Sequence, residues 1–377
     1  MITTTFYSPK SEYRESFDTL IYTEEFSSLG VKNQNTLSQL VGSCIAYPTI
    51  FLTSIANLGK GFLDVFTSLS DMITVAFGIK AETKKSDIGK YFTSIETAMN
   101  TVKKKLQEEV AKNGNYLKLK TVVDTFITNT LDKIADGAKT VASGAAGNPI
   151  SEVVRSNAAS DGPAAESVKN LVKGIKEIVD LVLKDGDAQA DKTTPVDDDK
   201  KNIGKLFGAE TTADSKGAEE KHVAAASASI GAVTGADILK AIAAADPSAT
   251  KGGKVSEATD AAALALAKGT ATANEDQLGD SAKKDAIIAA AIALRAMAKD
   301  GKFIVKDTAA NKTEAESAKG VAASAVGKTL STLIIAIRNT VDSGLKTISE
   351  ALATVTQEDK SADSTTPADA TASGQKQ

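Results

Sequence analysis

The stretch that decides the fold is Ala282–Lys306, which reads AKKDAIIAAAIALRAMAKDGKFIVK. Its middle contains only Ala, Ile, Leu and Met, with Arg295 as the single charged residue. Ala, Leu and Met favour helix formation, so the composition predicts an α-helix. Asp285 is expected to cap the start of this helix. The pair Asp300-Gly301 is expected to end it, with the glycine in the left-handed conformation.

A helix over Ala286–Ala298 has almost no polar face, which is typical of a helix buried inside a protein or of one that spans a membrane. Its 13 residues, at about 1.5 Å each, give roughly 20 Å, which is too short for a bilayer core of about 30 Å. We therefore predict that this segment is the buried central helix of an all-α, single-domain bundle. The candidate structural residues of this helix and its end are Ile287, Ile288, Ile292, Leu294, Arg295 and Gly301.

Arg295 is the one charge that this helix would carry into the core. A buried ion without a partner costs on the order of several kcal/mol. We therefore expect Arg295 to pair with a carboxylate from another helix or to reach the surface, and we favour a structural role over ligand binding.

The composition argues against several kinds of site. Aromatic residues make up 5% of the 377 residues, so the core has to be built from Ala, Val, Ile and Leu. The net charge is −4 and the longest basic tract is Lys103–Lys105, which argues against nucleic-acid binding. With one cysteine, Cys44, and one histidine, His222, the chain offers no internal disulfide and a poor basis for a zinc site or a catalytic triad. We expect no catalytic, cofactor-binding or metal-binding residues, and we expect His222 to be solvated at a helix start.

Apolar residues recur every three or four positions in several segments, which predicts further helices. Ser86 or Asp87 is expected to cap the second of these helices. The last is interpreted as one long helix or as two that break near Gly327 or Gly344. The second predicted helix runs from the cap at Ser86 or Asp87 to a turn at Lys112–Asn115. The other predicted helices are Pro48–Phe77, Leu117–Gly144, Ala164–Lys184, Lys201–Phe207, His222–Val233, Ala236–Ala245, Ala258–Lys268, Ala286–Ala298 and Ala315–Val355.

Polar segments between these helices are expected to be loops that cluster away from the chain termini. One of them should contain a short helix, Pro149–Val154, and another holds Asp197-Asp198-Asp199, which lacks the ligand spacing of an EF-hand loop. The carboxylate pairs are assigned to loops and charged faces, where nothing raises a pKa. The predicted loops are Gly144–Pro163, Asp185–Lys200, Glu210–Lys221, Lys251–Glu257, Gly269–Ala282 and Asp307–Glu314.

Two further patterns are set aside. Ala322–Thr329 reads AASAVGKT and nearly matches a phosphate-binding loop, but its first glycine is replaced by Ala322 and no strand is predicted before it. We interpret this match as chance. No run is expected to be long and apolar enough to span a membrane.

Several short segments resemble segments of the variable major surface lipoproteins of Borrelia, the Vlp and VlsE family. They occur in the same order along the chain as in that family. The resemblance runs from about Ser54 to about Thr356 and includes the central helix segment. The other segments are Leu58–Ser68, Ala76–Gly78, Lys84–Asp87, Tyr91–Thr93, Gly174–Val179, Gly204–Gly208 and Gly235–Leu239.

Residues 1–45 do not share this resemblance, and we predict no role for them. They lack the basic region followed by an unbroken apolar region that is typical of a signal peptide. Cys44 is a candidate lipidation site because Val41–Cys44 has the letters of a lipidation box, but polar residues precede it and apolar residues follow. A buried thiol is therefore the favoured interpretation. Residues 46–356 are predicted to form the helical domain, and residues 357–377 a disordered tail without apolar anchors.

The resemblance implies an outer-surface antigen that takes part in antigenic variation and immune evasion and has no catalytic activity. It implies constant helices that carry exchangeable loops, host antibodies as partners, and a lipid anchor in the outer membrane where the anchor is present. The alternatives are an adhesin module that binds a host surface component, and a non-exported archival copy of the family. We predict neither a specific host ligand nor an oligomeric state.

Overall fold

The computed structural model describes residues 69–112, 116–155, 162–194, 197–209, 216–272, 274–307 and 313–354. Contacts divide the chain into two compact units, Met1–Ser54 and Ile55–Gln377, and all described residues belong to the second. This unit is mostly helical, which confirms the predicted all-α class. Cys44, the helix start predicted at Pro48 and the tail 357–377 lie outside the described residues.

The helical segments follow the 3.6-residue period of apolar residues in the sequence. A π-helical turn, Ile127–Leu131, joins two of them, and Asn202–Leu206 and Val255–Glu257 are 3-10 turns. The strands are Val153–Arg155 (β1) and Phe303–Val305 (β2). The α-helices are 69–77 (α1), Lys85–Lys112 (α2), Leu117–Phe126 (α3), Asp132–Gly144 (α4), Ala165–Val182 (α5), Asp197–Lys201 (α6), Glu220–Ala232 (α7), Gly235–Ala244 (α8), Ala261–Leu266 (α9), Asp285–Met297 (α10) and Thr313–Ala353 (α11).

Helix α10 lies in the core, and all 13 of its residues are buried. It packs against α7, α8, α9 and α11. Its alanines allow close approach on one side while Ile287, Ile288, Ile292 and Leu294, none more than 3% exposed, fill the space between the neighbouring helices. This helix therefore contributes apolar contacts in every direction, as its sequence predicts.

Helix α2 shows how the apolar period buries one face. Six apolar residues recur along it every three or four positions and are all buried: Ile88, Phe92, Ile95, Met99, Val102 and Leu106. The helix begins at Lys85, however, so the prediction that Ser86 or Asp87 caps it is wrong. Both residues lie in the first helical turn.

Helix α11 is one continuous helix that passes through Gly327 and Gly344 without a break. Contrary to the sequence expectation, it is long and apolar enough to cross a membrane by length and composition. Of its most apolar window, 56% is buried inside the protein, and a core helix of a soluble protein meets the same criteria. The segment Ala322–Thr329 lies within this helix, so it does not form a phosphate-binding loop.

The short helix predicted at Pro149–Val154 is wrong. Residues Val153–Arg155 instead form β1, which pairs in parallel with β2 in the register Val153 to Phe303. Two β-branched valines favour an extended backbone here, and Phe303 N donates to Glu152 O at 2.8 Å. The partner strand β2 directly follows the end of the α10 segment.

Two other boundaries differ from the prediction. Asp197-Asp198-Asp199, predicted as loop, begins the short helix α6. The helix predicted at Ala258–Lys268 is shortened to α9 because Asp260 Oδ1 accepts hydrogen bonds from the amides of Ala262 and Ala263, at 2.8 and 3.0 Å.

The clustering of loops away from the termini stays a prediction, since the termini lie outside the described residues.

Candidate functional site

The start of α10 holds the most buried ion pair of the described residues. Asp285 was predicted to cap this helix, but Lys284 is the N-cap residue and Asp285 is the first helical residue. Its carboxylate, which is 0% exposed, instead accepts hydrogen bonds from the amides of Lys192 and Thr193, both at 2.7 Å, and from Thr193 Oγ1 at 2.7 Å. Lys200 Nζ lies 2.8 Å from Asp285 Oδ1. Asp285 therefore does not cap its own helix but joins α10 to the segment that contains Lys192 and Thr193.

Asp285 is ionised at neutral pH. Burial alone would raise the pKa of this carboxyl, but the hydrogen bonds from Lys200 and Thr193 lower it to about 2. Lys200 also contacts Asp191 at 2.5 Å, so the ammonium group is shared by two carboxylates. The expectation that carboxylates lie only in loops or on charged faces is wrong at this position.

Asp237 is a second buried carboxylate, 4% exposed, near the start of α8. It forms a capping box with Thr234, whose amide donates to Asp237 Oδ2 at 2.9 Å. It also accepts from the amide of Asp187 at 2.8 Å and from Lys192 Nζ at 2.9 Å. Burial opposes its ionisation, yet these hydrogen bonds hold the pKa of Asp237 far below its usual range. Sequence analysis missed this residue, although Thr-x-x-Asp before an apolar run is a capping-box pattern.

Arg295 is 0% exposed, so the expectation that it reaches the surface is wrong. Its guanidinium group donates to main-chain carbonyl oxygens: Nε to Lys302 O at 2.5 Å, and Nη1 to Ala265 O and Ala267 O at 2.8 and 2.9 Å. The group also lies 5.8 Å from the ring centre of Phe207. Burial lowers the pKa of Arg295 to about 9. The acceptors that the described residues provide are thus main-chain carbonyl oxygens, and the expected pairing with a carboxylate of another helix stays a prediction.

The end of α10 differs from the prediction in its detail. The helix ends at Met297, and Asp300 rather than Gly301 takes a positive φ, of 62°. Gly301 is buried against the carbonyl of Arg295, which a Cβ at this position would overlap. The glycine is therefore required for close approach of the chain and not for a left-handed cap.

Lys85 is a second buried cation, 1% exposed, that the sequence analysis did not single out. Its Nζ donates to Pro149 O at 2.8 Å and to Gly301 O at 3.0 Å. Burial lowers the pKa of Lys85 to about 8, against the opposing charges of Glu152 and Asp300. Lys85 thereby ties the start of α2 to the segment that follows α10.

His222 was predicted to be solvated, but it is only 2% exposed. It lies in the first turn of α7, where its Nδ1 accepts from the amide of Glu219 at 3.1 Å in a capping box. Burial, together with the charge of Lys205, lowers the pKa of His222 to about 4. The imidazole is therefore neutral, and it serves as a hydrogen-bond acceptor.

The charged groups of the core are thus used to join segments. In the described part of the chain, no group of three or more His, Cys, Asp or Glu side chains is placed to hold a metal ion. Burial raises the pKa of Asp342, which lies on α11 beside Arg338. The two carboxylates Asp237 and Asp285 and the two cations Lys85 and Arg295 all bond to main-chain groups of other segments.

Known proteins of similar sequence show which family this chain belongs to. A sequence profile of the family described as Borrelia lipoprotein matches residues 62–352. The chain belongs to this family. It is similar to Variable large protein 4 of Borrelia hermsii, with 59% identity over 87% of this chain and 92% of that protein. Variable large protein 17 of the same species is 59% identical over 87% of this chain and 91% of its own length, and Variable large protein 19 is 42% identical over 80% and 85%.

A solved structure agrees with this fold. The crystal structure of the Lyme disease variable surface antigen VlsE of Borrelia burgdorferi matches with a TM-score of 0.64 and 35% identity. The match covers 80% of this chain and 98% of the VlsE chain. The family resemblance and the all-α fold predicted from the sequence are both confirmed.

Proposed function

We propose that this protein is an outer-surface antigen that presents exchangeable loops to host antibodies and so serves antigenic variation and immune evasion. One observation carries the proposal. Relatives whose identity falls from 59% to 35% share most of the chain, and the relative at 35%, which is described as a variable surface antigen, keeps the fold. Much of the sequence can therefore change while one helical framework stays.

The distribution of buried contacts supports this proposal in physical terms. The framework rests on helices such as α10, whose side chains are fully buried, while connectors such as 183–194 expose most of their side chains. Substitutions at exposed positions away from special contacts usually change stability by less than about 0.5 kcal/mol. Loops can therefore change their antigenic character without a large loss of stability.

Two measurements on cells test the proposal. In the first, intact cells that express this protein are treated with protease, with a periplasmic protein as the control for membrane integrity. We expect this protein to be cut while the control is protected. Protection of both proteins would contradict surface display.

The second measurement tests variation. Antiserum raised against this folded protein is titrated on two otherwise identical strains, one expressing this chain and one expressing Variable large protein 4 in its place. We expect at least a tenfold difference in the agglutinating titre, because chains at 59% identity differ at many positions and exposed loop positions tolerate sequence change best. Equal titres on both strains would contradict a role in antigenic variation.

The anchor is tested at Cys44, the only cysteine of the sequence. Labelling of expressing cells with radioactive palmitate separates a lipid anchor from the buried thiol that the flanking residues favour. Label that is present in wild type and lost in Cys44→Ser supports anchoring at this residue. Absence of label in wild type means that no lipid anchor forms at this residue.

A further inference from the structure

Residues 183–194, here called the connector, follow α5 and contain no helix or strand. Their main chain is nevertheless bonded to buried side chains at several points. The amides of Lys192 and Thr193 both donate to Asp285 Oδ2 at 2.7 Å. The amide of Asp187 donates to Asp237 Oδ1 at 2.8 Å. Two buried carboxylates on α10 and α8 thus hold the connector.

Two carbonyl groups of the connector are bonded to the same helices. Ala190 O accepts from the amide of Ala286, in the first turn of α10, at 3.0 Å. Leu183 O accepts from Lys240 Nζ, on α8, at 2.7 Å. Together with the three amides, these bonds fix five main-chain groups between residues 183 and 193. Main-chain groups are present whatever side chain a position carries.

Several side chains of the connector, in contrast to its main chain, form no bonds that hold it in place. Lys184, Asp185, Gln189 and Thr194 are exposed, and within the described residues the structure gives their side chains no hydrogen bond or ion pair. Four side chains of the connector do form bonds. Asp187 Oδ1 accepts from the amide of Gln189 at 2.8 Å, within the connector. The side chains of Asp191, Lys192 and Thr193 contact Lys200, Asp237 and Asp285 respectively. Conformation and exposed sequence are therefore largely separate properties of this segment.

We propose that Asp237 and Asp285 hold the connector in one conformation through its main chain, so that its exposed side chains can be exchanged while its shape is kept. The connector is then a rigid, conformation-dependent surface for antibodies. Antibody interfaces are polar and wet, with adaptable hydrogen bonding, and the exposed residues of the connector are charged or polar. The antibody part rests on the proposed function, whereas the main-chain part stands on the geometry alone.

Hydrogen exchange on the full chain tests the main-chain part. In wild type, we expect peptic fragments that cover 187–193 to exchange at least tenfold more slowly than fragments that cover the loop 269–272, in which Ala271 and Thr272 are exposed. Asp285→Ala should remove this protection and leave that of α5 unchanged. Asp246→Ala is the matched control, because Asp246 is exposed and bonds only within its own turn, to Ser248. Equal exchange of both loops in wild type would overturn the proposal, even if Asp285→Ala does not fold.

A triple variant tests the separation of shape from sequence. In Asp185→Lys, Gln189→Lys and Thr194→Lys combined, we expect the exchange of 187–193 to stay within twofold of wild type. A large increase would show that the exposed side chains are needed for the conformation, and would overturn the proposal.

Antiserum against the folded wild-type chain, depleted on a column of this triple variant, tests the antibody part. The remaining antibodies should bind the folded chain at least 100-fold more tightly than a free peptide of residues 183–194. Equal binding of the peptide, or no remaining antibodies, would overturn the antibody part and leave the main-chain part standing. These measurements use purified protein, so they are independent of whether cells display it.

Discussion

Arg295 sits inside the core with its guanidinium group bonded to carbonyl oxygens of two separate segments, at Lys302 and at Ala265 and Ala267. A lysine at this position has a single point of donation and cannot reproduce this fork. We expect Arg295→Lys to lower the free energy of unfolding by about 3 kcal/mol, because buried carbonyl groups lose their donors. Urea unfolding followed by circular dichroism measures this change.

Arg338 provides the matched control for that prediction. It lies on α11, and its side chain is 36% exposed beside Asp342. Arg338→Lys should change the free energy of unfolding by less than about 0.5 kcal/mol. Equal losses in the two variants would show that the buried contacts of Arg295 have no special value.

His222 makes the stability depend on pH in a direction that burial determines. Its pKa falls from 6.5 to about 4 on folding, so the native state binds fewer protons than the unfolded state between these values. The stabilising contribution is complete above pH 6.5 and is lost as the pH falls toward 4. We expect a loss of about 3 kcal/mol from this residue over that window.

His222→Gln isolates this effect, because a glutamine at the third helical position still accepts a hydrogen bond but does not titrate. The chain has no other histidine. The unfolding free energies of both proteins are compared at pH 7 and pH 4. We expect wild type to lose more stability than the variant between the two values. Parallel losses would mean that His222 is not held neutral in the fold.

At the residue scale, the sequence predicts the burial of apolar residues better than it predicts where polar residues lie and what they bond to. The apolar run around Arg295 predicts a buried helix, but it leaves open whether Arg295 pairs inside the core or reaches the surface. Its acceptors come from residues 265–267 and 302, and only the folded chain brings these carbonyl groups together. His222 shows the same limit, since a polar residue at a helix start is usually solvated and only the contacts around it reveal its burial.

At the element scale, the crossing of α4 and α5 depends on two glycines. A Cβ on Gly174 would overlap the carbonyl of Gly137 and lie 2.8 Å from Val141 N. Gly174→Ala should therefore lower the free energy of unfolding by about 2 kcal/mol, since the helices have to move apart. This loss exceeds the gain of about 1 kcal/mol that alanine gives inside a helix. Thermal unfolding of the purified variant measures the difference.

Gly320 is the matched control, because it also lies within a helix, α11, and a Cβ there would meet no atom within 4 Å. Gly320→Ala should raise the free energy of unfolding by about 0.5–1 kcal/mol through helix propensity alone. Opposite signs in the two variants are the expected result. Stabilisation in both would show that α4 and α5 are not in close contact at Gly174.

Helix positions were predictable from the sequence, whereas the strand pair was not. The six buried residues of α2 follow from the spacing of apolar residues alone. The segment Val153–Arg155 is short, and its partner Phe303–Val305 is distant in the chain. The three residues Val153–Arg155 are too few to show an alternating pattern that would predict a strand. The unbroken course of α11 through Gly344 likewise depends on packing, because this glycine faces the ring of Phe126.

At the scale of the whole molecule, the buried character of α10 and the family were both predictable, since an apolar run and short sequence segments carry that information. The bonding partners of the buried polar residues were not predictable. Asp285 has the letters of a helix cap, yet it binds a connector about 90 positions earlier in the chain, as the separations of 92 and 93 residues show. Long-range bonds of this kind leave no local pattern, because each partner is an ordinary polar residue in its own surroundings.

The central claim is that α10 is shielded on every side and that the fold depends on it. Calorimetric unfolding of Ile292→Asp tests this claim most directly, with Ile335→Asp as the control, because Ile292 is 0% and Ile335 is 39% exposed. An unpaired buried carboxylate costs about as much as the whole stability of a typical domain. We predict that Ile292→Asp shows no cooperative transition while Ile335→Asp melts close to wild type. A near-wild-type transition in Ile292→Asp would contradict the account.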